Sequence, residues 1–573
     1  MMRALLNMVH HTFGSLKSPT KASFDQAGQT RDRLITVICG VVLVFAVVQA
    51  RLIAIGFSEN KGPARVAQLD RNLAASRPKI LDREGKTLAL DIEVQSLFAV
   101  PKSIDRPQEI LDALLTVLPD LPKEKTLAGL SSDRAFQWLK REITPKQQAD
   151  IIALGLPGIH FRPEIKRFYP HGATASHVVG HANLDNKGNA GLESHIDKTG
   201  LRDLHSAGFA MREDLPPVRT TLDLRVQHFV RHTLQSAMER YRAIAAAGVV
   251  LDAKTGEIIA LSSLPDYDPN DPKTRAVEGR FNRMTAGVFE MGSTFKLFTT
   301  AMALDSGLVT LNSRFDARKP IYIGRHRIGD FHAKNRVLSV PEVFIYSSNI
   351  GTAKMAEAVG VDGHRAFMEK MGLLSPISGL ELPEIRKPTG PKRWRQIHST
   401  TISFGHGMST TPLQTAMAAA AVLNGGWLMQ PTLLPRSEGK ALLSAKRVLR
   451  PETSDAMRYL MRLNVLKGSG RRAAVPGFLV GGKTGTAEKV VNKRYSKKHR
   501  FNSFLAAFPI NDPRYVVLVI IDEPKPEEGK KAATAGLNAA PMVREIIERA
   551  APVLGVAPDF RVRDTTILSS YTR

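Results

Sequence analysis

Ser293-Thr-Phe-Lys296 is the stretch that says most about the fold and chemistry of this chain of 573 residues. Positions i and i+3 share one face of a helix, so we expect Lys296 to reach Ser293. A serine hydroxyl is a poor nucleophile until a nearby base takes its proton. A lysine that burial and a cationic neighbour keep neutral can act as that base. Two fixed residues in four recur by chance, however, so this stretch needs support.

Two further motifs supply that support, because Ser347-Ser-Asn349 and Lys483-Thr-Gly485 follow in order and well separated. Singly, each motif has an ordinary explanation as a helix cap, a turn or a strand end. Together they form the set that is typical of serine β-lactamases and penicillin-binding proteins. We therefore assign all three motifs to one site.

Acyl transfer predicts a role for each motif residue. Ser293 attacks a peptide carbonyl and becomes acylated, and Lys296 takes its proton. Ser347 passes a proton to the departing amine. Asn349 is expected to hold substrate backbone and to fix Lys296. Lys483 is expected to lower the pKa of Lys296 and to attract a carboxylate.

The strand end around Lys483 is the predicted substrate-binding edge. Thr484 and Thr486 are expected to hydrogen-bond the substrate carboxylate, and Gly485 lets substrate lie against the strand. The backbone N–H groups of Ser293 and Thr486 are candidate oxyanion-hole donors, and such a donor contributes on the order of 10²–10³ in rate.

The elements around the motifs predict an α+β domain, in which helices pack on an antiparallel sheet and a helical lobe is inserted between strands. Apolar spacing predicts helices over 224–240 and 542–551. A hairpin over 247–262 turns at Asp252-Ala-Lys-Thr-Gly256. Further strands are predicted at 478–486, 501–508 and 515–521.

Residues 58–215 are predicted to form a separate region. Ile80-Leu-Asp-Arg83-Glu-Gly85 predicts a strand, a turn and a strand. Apolar spacing predicts helices over 111–118 and 131–154, the second one broken near Pro145. Arg167-Phe-Tyr-Pro170 predicts a loop.

The charge of the chain limits the kinds of partner that it is expected to bind. The net charge is +26, but the basic residues are spread along the chain without a nucleic-acid motif, so we expect no nucleic-acid partner. Anionic lipid and an acidic polymer fit the positive charge better.

Cys39 is the only cysteine and lies in an apolar run, which predicts a small buried side chain. The histidines lack metal-ligand spacing, so we expect no metal and no cofactor.

Leu34 to Ala50 is an uncharged run of 17 residues, and its apolar character continues to about Phe57. A membrane-spanning helix needs about 20 residues. We therefore predict a spanning helix over 34–57, with Arg51 reaching the interface. The 33 residues before the run are too long for the start of a cleaved signal peptide. Flanking Lys and Arg are nearly balanced and leave the orientation open.

Taken together, the motifs resemble the class B high-molecular-weight penicillin-binding proteins, which are monofunctional peptidoglycan D,D-transpeptidases. The division-specific, septal branch of the penicillin-binding protein 3 type is the most similar. The resemblance extends to four other stretches: Arg77-Pro-Lys-Ile-Leu-Asp82-Arg83-Glu-Gly85, Arg167-Phe-Tyr-Pro170, Gly191-Leu-Glu193 and Gly468-Ser-Gly470.

Three positions depart from the family pattern. Pro78 stands where glycine is usual, Met291 stands where proline is usual, and His406 replaces a common aromatic residue. None of these changes removes a chemical group that the expected mechanism needs.

The resemblance implies a fold and a domain order. A cytoplasmic tail (1–33) and the transmembrane helix (34–57) would precede a mixed pedestal of the dimerisation type (58–215). A transpeptidase domain of the penicillin-binding, serine β-lactamase-like fold (216–552) and a tail (553–573) would follow. The N-terminus would be cytoplasmic and the catalytic domain periplasmic, at the inner membrane and the division septum.

The implied reaction is the crosslinking of peptidoglycan stem peptides. Ser293 would be acylated by a D-Ala-D-Ala end, and an amine from a neighbouring strand would then attack the acyl-enzyme. β-Lactams would inhibit the enzyme. A membrane glycosyltransferase and other divisome proteins would be its partners.

Three alternatives remain open at this point. An elongation-specific transpeptidase is one, although Ser403-Phe-Gly-His-Gly407 followed by Thr411-Pro-Leu-Gln414 favours the septal branch. A β-lactamase would need an efficient base for hydrolysis, and it would need neither an anchor nor a pedestal. A β-lactam sensor or a divisome scaffold with a dead site conflicts with the intact catalytic motifs.

Overall fold

A computed structural model describes residues 37–51, 76–201, 215–274, 278–324, 326–491, 494–530 and 532–560. The chain divides into two units, residues 1–71 and 72–573, and each is described by itself.

In the first unit, residues 37–51 form a helix whose apolar side chains are exposed. Cys39 is exposed as well, so the prediction that it is buried is wrong. Among the described residues, no helix has the length and hydropathy needed to cross a bilayer. Residues 34–36 and 52–57 of the predicted spanning helix lie outside the described residues, as does the predicted tail over 1–33.

A five-stranded sheet organises the first part of the second unit. Its strands are β1 (Ile80–Leu81), β2 (Thr87–Ala99), β3 (Gln137–Ile143), β4 (Ile159–Phe168) and β7 (Val218–Arg219). The long strand β2 pairs antiparallel with β1, β3 and β4, whereas β1 and β7 pair in parallel. Because β7 lies beyond residue 215, the sheet of this region extends past the predicted boundary.

Helices and a short hairpin complete this region. They are α1 (Pro107–Val117), α2 (Lys123–Leu130), α3 (Pro145–Ala153), β5 (His181–Ala182), β6 (Gly188–Ala190), α4 (Ser176–Val179) and α5 (Gly191–Ile196). Leu111 and Leu114 of α1 are buried in one apolar cluster with Leu97 of β2. This cluster fixes the helices on one face of the sheet.

The helix predicted over 131–154 is wrong in its first half. Residues 137–143 form β3, which pairs with β2 and sets Trp138 opposite Phe98. Helix α3 begins only at Pro145, where Thr144 accepts a hydrogen bond from the Gln147 N–H at 3.2 Å. Cross-strand packing of aromatic side chains therefore outweighs the helical spacing in the sequence. A loop was predicted at Arg167-Phe-Tyr-Pro170, but β4 continues to Phe168, so the observed loop begins two residues later than predicted.

Buried charges join three of the quoted stretches at one point. The Glu193 carboxylate accepts hydrogen bonds from Arg77 Nε and Arg167 Nε, each at 2.6 Å. Arg167 also reaches Asp91 at 3.0 Å, and Arg77 reaches Asp197 at 2.6 Å. Burial alone would raise the pKa of Glu193, but the two guanidinium charges outweigh it and hold that pKa below its usual value. This buried cluster therefore holds together three stretches that are far apart in the chain.

Replacing Glu193 by alanine is expected to lower the free energy of unfolding by about 3–5 kcal/mol, because two buried guanidinium groups lose their common partner. Urea unfolding would measure the change. Glu109, which pairs with Arg106 on the surface, provides a matched control, and Glu109→Ala should cost about 1 kcal/mol or less. Equal losses in the two variants would contradict a structural role of the buried cluster.

The second part of this unit has a five-stranded antiparallel sheet, in the order β16-β17-β18-β8-β9. Its strands are β8 (Ala245–Asp252), β9 (Ile258–Leu264), β16 (Gly481–Val491), β17 (Arg494–Phe508) and β18 (Tyr515–Asp522). Helices α6 (Leu224–Tyr241) and α15 (Ala539–Val553) pack with the sheet in one apolar cluster. The predicted antiparallel sheet with flanking helices is confirmed.

A helical lobe lies between β9 and β16 along the chain. Its helices are α7 (Lys296–Asp305), α8 (Val340–Ile345), α9 (Asn349–Val359), α10 (Val361–Lys370), α11 (Gln396–Ile402), α12 (Pro412–Leu423), α13 (Glu438–Ser444) and α14 (Pro451–Lys467). Its short strands are β10 (Arg314–Asp316), β11 (Ile321–Ile323), β12 (His326–Ile328), β13 (Val337–Ser339), β14 (Trp427–Leu428) and β15 (Lys446–Arg447). The lobe shares the larger apolar cluster with the other face of the sheet.

Candidate active site

Ser293 lies in a tight turn that is packed between two backbone segments, one at Thr486 and one at Gly405. The turn, Gly292–Phe295, is a 3₁₀ helix that leads directly into α7. Gly292 has φ +53°, and a Cβ there would lie 2.6 Å from the carbonyl oxygen of Thr486. On the other side, a Cβ on Gly405 would overlap the backbone of Gly292. Glycine is required at both positions because only a bare backbone allows this approach.

The predicted lysines meet at the hydroxyl of Ser347. Lys296, which is 1% exposed, donates to Ser347 Oγ at 3.0 Å and also to the Ser347 carbonyl. Lys483, which is 0% exposed, donates to the same Oγ at 3.1 Å and to the Thr484 carbonyl at 3.2 Å. Residues from α7, the corner after α8 and strand β16 thus form one polar cluster.

Burial sets the charges of this cluster. It moves the pKa of Lys296 well below its ordinary value, and the charge of Lys483 lowers it further, while Asp330 opposes both effects. Burial also lowers the pKa of Lys483 to about 7. A cluster of this kind favours a neutral Lys296 near neutral pH. The Ser347 hydroxyl can then accept a hydrogen bond from a protonated Lys483 while it donates one to Lys296, an arrangement that is able to relay a proton.

Ser347 occupies a strained corner between two helices. Its φ is +56°, a left-handed conformation that costs a non-glycine residue about 1–2 kcal/mol. The neighbouring turns hold it there: Ser348 N donates to the Val343 carbonyl at 2.9 Å, and Ser348 Oγ caps α9 by accepting from Gly351 N at 3.0 Å. Strain that is held in this way is typical of functional positions.

Two expected contacts differ in the structure. Within the described part of the chain, Ser293 Oγ makes no hydrogen bond to Lys296, whose amine is directed to Ser347 instead. Asn349 was expected to fix Lys296, but its Nδ2 donates to the Gly329 carbonyl at 2.9 Å. In this structure the Lys296 amine therefore contacts Ser347 instead of Ser293, and the Asn349 amide contacts Gly329 instead of Lys296.

The residues on β16 that are predicted to bind substrate make contacts within the protein. Thr484 Oγ1 lies 2.7 Å from Ser469 Oγ, and Thr486 Oγ1 accepts from Ala535 N at 3.3 Å. A Cβ on Gly485 would lie 2.5 Å from the Met291 carbonyl. Gly485 is therefore needed for the contact between the strand and the nucleophile turn, a reason that the sequence did not reveal.

Sequence reasoning missed Asp330. Its Oδ2 accepts from Ser348 Oγ at 2.7 Å, and its Oδ1 accepts from the N–H of Ile350 at 3.0 Å. It therefore holds the corner that carries Ser347, and its negative charge partly opposes the lowering of the Lys296 pKa by burial and by Lys483. No local pattern signals this role, because Asp330 lies on a separate loop.

Glu290 was also missed, although it lies only three residues before Ser293. Its Oε1 accepts from Gly407 N at 2.8 Å and from the Tyr495 hydroxyl at 3.0 Å. The His406 ring packs edge-on against Tyr495, with ring centroids 5.5 Å apart. The hydrogen bonds of Glu290 thus connect the start of the Gly292–Phe295 turn to the 403–407 segment and to strand β17. Its position beside the motif was the available signal.

Two family models match the chain. The penicillin binding protein transpeptidase domain matches residues 246–548, and the penicillin-binding protein dimerisation domain matches residues 72–201. The chain belongs to the class B penicillin-binding proteins. The resemblance predicted from the motifs is therefore confirmed.

Relatives of this penicillin-binding protein carry consistent names. A probable peptidoglycan D,D-transpeptidase FtsI from Caulobacter vibrioides is 39% identical over 497 residues, covering 85% of this chain and 82% of the relative. The peptidoglycan D,D-transpeptidase FtsI of Escherichia coli K12 is 30% identical over 527 residues, 85% of each chain.

A solved structure has the same fold. It is penicillin-binding protein 3 from Mycobacterium tuberculosis in complex with aztreonam, with a TM-score of 0.65 and 23% identity. The match covers 85% of this chain and 97% of that one.

The pH dependence of acylation by a penicillin should report the charge of Lys296. The rate is expected to rise with pH as Lys296 loses its proton, because only the neutral amine accepts a proton. Lys483→Met removes the positive charge that helps to lower the pKa of Lys296. The midpoint of the rise should therefore move to higher pH, whatever happens to the maximal rate.

Acylation rates measured from pH 5 to pH 10 would locate the midpoint. The exposed Lys440 on α13 provides the control, since Lys440→Met should leave the midpoint where it is. A midpoint that stays fixed in Lys483→Met would contradict the electrostatic coupling of the two amines.

Proposed function

We propose that this penicillin-binding protein is a peptidoglycan D,D-transpeptidase that crosslinks stem peptides during septal wall synthesis. The observation that carries the proposal is the Ser347 hydroxyl, which lies 3.0 Å from Lys296 Nζ and 3.1 Å from Lys483 Nζ beside the turn of Ser293. The names of the FtsI relatives support the same activity.

The first half-reaction forms the acyl-enzyme. Ser293 Oγ attacks the carbonyl carbon of the penultimate D-Ala, and its proton passes to neutral Lys296. The N–H groups of Ser293 and Thr486 are proposed to hold the oxyanion. The C–N bond then breaks, and Lys296 returns its proton through the Ser347 hydroxyl to the leaving D-Ala amine. Lys483 attracts the carboxylate of that residue.

The second half-reaction reverses these proton transfers. An amine from a neighbouring stem peptide attacks the acyl carbon, and its proton passes through the Ser347 hydroxyl to Lys296. The C–N bond of the crosslink forms, the C–O bond to Ser293 breaks, and the Ser293 oxygen regains a proton from Lys296. Asn349 is proposed to hold the substrate backbone, with Thr484, Gly485 and Thr486 as the other binding residues.

The proposal includes a place in the cell. The apolar run over 34–57 would anchor the chain in the inner membrane, with the N-terminus cytoplasmic and the catalytic domain periplasmic at the septum. The exposed apolar side chains of the helix over 37–51 support this arrangement, because water disfavours such a surface. Residues 58–215 would serve as the pedestal, and 216–552 as the transpeptidase domain. A membrane glycosyltransferase and divisome proteins would be the partners.

A transfer assay tests the activity. The purified protein would be given a thioester donor that mimics a D-Ala-D-Ala end, together with a stem-peptide amine, and products would be followed by mass spectrometry. We expect an amide between donor and acceptor, and pretreatment with penicillin should prevent it. Hydrolysis alone would contradict the proposal and favour a β-lactamase-like activity. A fluorescent fusion along the side wall instead of midcell would contradict the septal role.

A further inference from the structure

A basic surface lies next to the catalytic corner. We call residues 314–324 and 326–339 the basic lobe; it contains two ribbons, β10 with β13 and β11 with β12. Three hydrogen bonds tie this lobe to the corner: Asn349 Nδ2 to the Gly329 carbonyl (2.9 Å), Ser348 Oγ to Asp330 (2.7 Å) and Ile350 N to Asp330 (3.0 Å). The lobe is therefore fixed relative to Ser347.

The cations of the basic lobe outnumber its acids. Asp316 is paired with Arg318 at 2.7 Å, and Asp330 is engaged by the corner. Arg336 is paired with Glu342 at 2.6 Å. Among the described residues of the lobe, four other cations make no ion pair: Arg314, Lys319, Arg327 and Lys334. Arg327 and Lys334 are exposed. Their positive potential is thus available to an anionic ligand.

Aromatic rings accompany these cations. Phe331 is 74% exposed and Tyr322 is 66% exposed, and Tyr322 lies opposite Arg327 in the ribbon. Tyr346, the residue before Ser347, lies under Lys334 Nζ, 4.7 Å from its ring centroid. Aromatic residues and arginine are enriched at protein interfaces relative to the rest of the surface. The surface begins at the catalytic corner and continues outward.

We propose that the basic lobe binds the acceptor stem peptide, a peptide amine whose free carboxylates complement its cations. This inference rests on the proposed function. The acceptor amine must give its proton to Ser347, so the acceptor has to approach that corner. The lobe is tied to the corner and carries the opposite charge to the acceptor. It therefore raises the local concentration of the acceptor and orients it, which favours amine transfer over attack by water.

The test compares acceptors with and without charge on the double variant Arg327→Gln/Lys334→Gln. With a thioester donor, the half-saturating concentration of a stem-peptide acceptor that has free carboxylates is expected to rise about three- to tenfold, since each exposed ion pair contributes about 0.2–1 kcal/mol. The same acceptor with its carboxylates amidated should respond equally in the variant and the parent. Lys440→Gln serves as the matched control for a lost surface charge.

Three results would overturn the inference: an unchanged half-saturating concentration, an equal rise with the amidated acceptor, or a loss of binding to anionic lipid vesicles with transfer unaltered. Phe331→Ser provides a second, uncharged variant and should also weaken the acceptor. Penicillin acylation of each variant checks that the donor site is intact. Failure of the parent protein to transfer to any amine would instead refute the proposed function, so the two failures are distinguishable.

Discussion

Ser293→Ala is expected to abolish covalent labelling of the protein by a fluorescent penicillin. Alanine has no hydroxyl, so no ester to the opened β-lactam can form, and loss of a catalytic nucleophile lowers rates by roughly 10⁴-fold or more. Labelling would be followed by in-gel fluorescence, and the acylated peptide of the parent protein would be mapped by mass spectrometry. The mapped peptide should contain Ser293.

A matched serine distinguishes chemistry from folding. Ser444 is exposed at the end of α13, and Ser444→Ala should label at the parental rate. Ser293→Ala should unfold at the denaturant concentration of the parent, because the Ser293 hydroxyl makes no hydrogen bond within the described part of the chain. Labelling that survives Ser293→Ala would refute the assignment of the nucleophile.

Lys296→Ala is expected to slow acylation by about 10²–10⁴-fold, the usual contribution of a general base. Lys296→Arg should do no better, because a guanidinium keeps its proton at every accessible pH. The second-order rate constant with a penicillin measures both effects. Lys440→Arg, on the surface, should leave that constant unchanged.

The arginine variant is the sharper of the two. If Lys296 acted only through its positive charge, arginine would restore a large part of the rate. A near-parental rate in Lys296→Arg would therefore show that the proton acceptor is another group. The alanine variant guards against a misfolded arginine variant, since arginine is the larger side chain at a position that is only 1% exposed.

The sequence predicted that the three motifs lie together, as Lys296, Ser347 and Lys483 do, but it did not predict their contacts. Ser293 and Lys296 are close in the chain, and helical spacing placed them together. The distances from Lys296 to Ser347 and to Lys483 depend on how the lobe packs on the sheet, which local spacing does not encode. This is why the amine was expected at Ser293 and is found at Ser347.

The same limit applies to the fold. The strongly apolar strand over 515–522 was predictable because it is buried on both faces. The strand over 137–143 has the apolar spacing of a helix, but six of its seven residues are only partly buried and the segment gains its conformation from pairing with β2. The need for glycine at 485 was likewise hidden, because the carbonyl that approaches it belongs to Met291.

The strand order of the catalytic sheet also determines when the protein becomes active during synthesis. Strand β8 pairs with β18, so Ala245 lies opposite Asp522, and the sheet closes only after the second of these strands has been made. Such distant pairing slows folding, because a long loop must close before its contacts form. A nascent chain that ends before β16 already carries Ser293 and Ser347 but lacks Lys483. Under the proposed site assignment such a chain lacks one of the two lysines, so a β-lactam is expected to acylate only chains that already extend through β18.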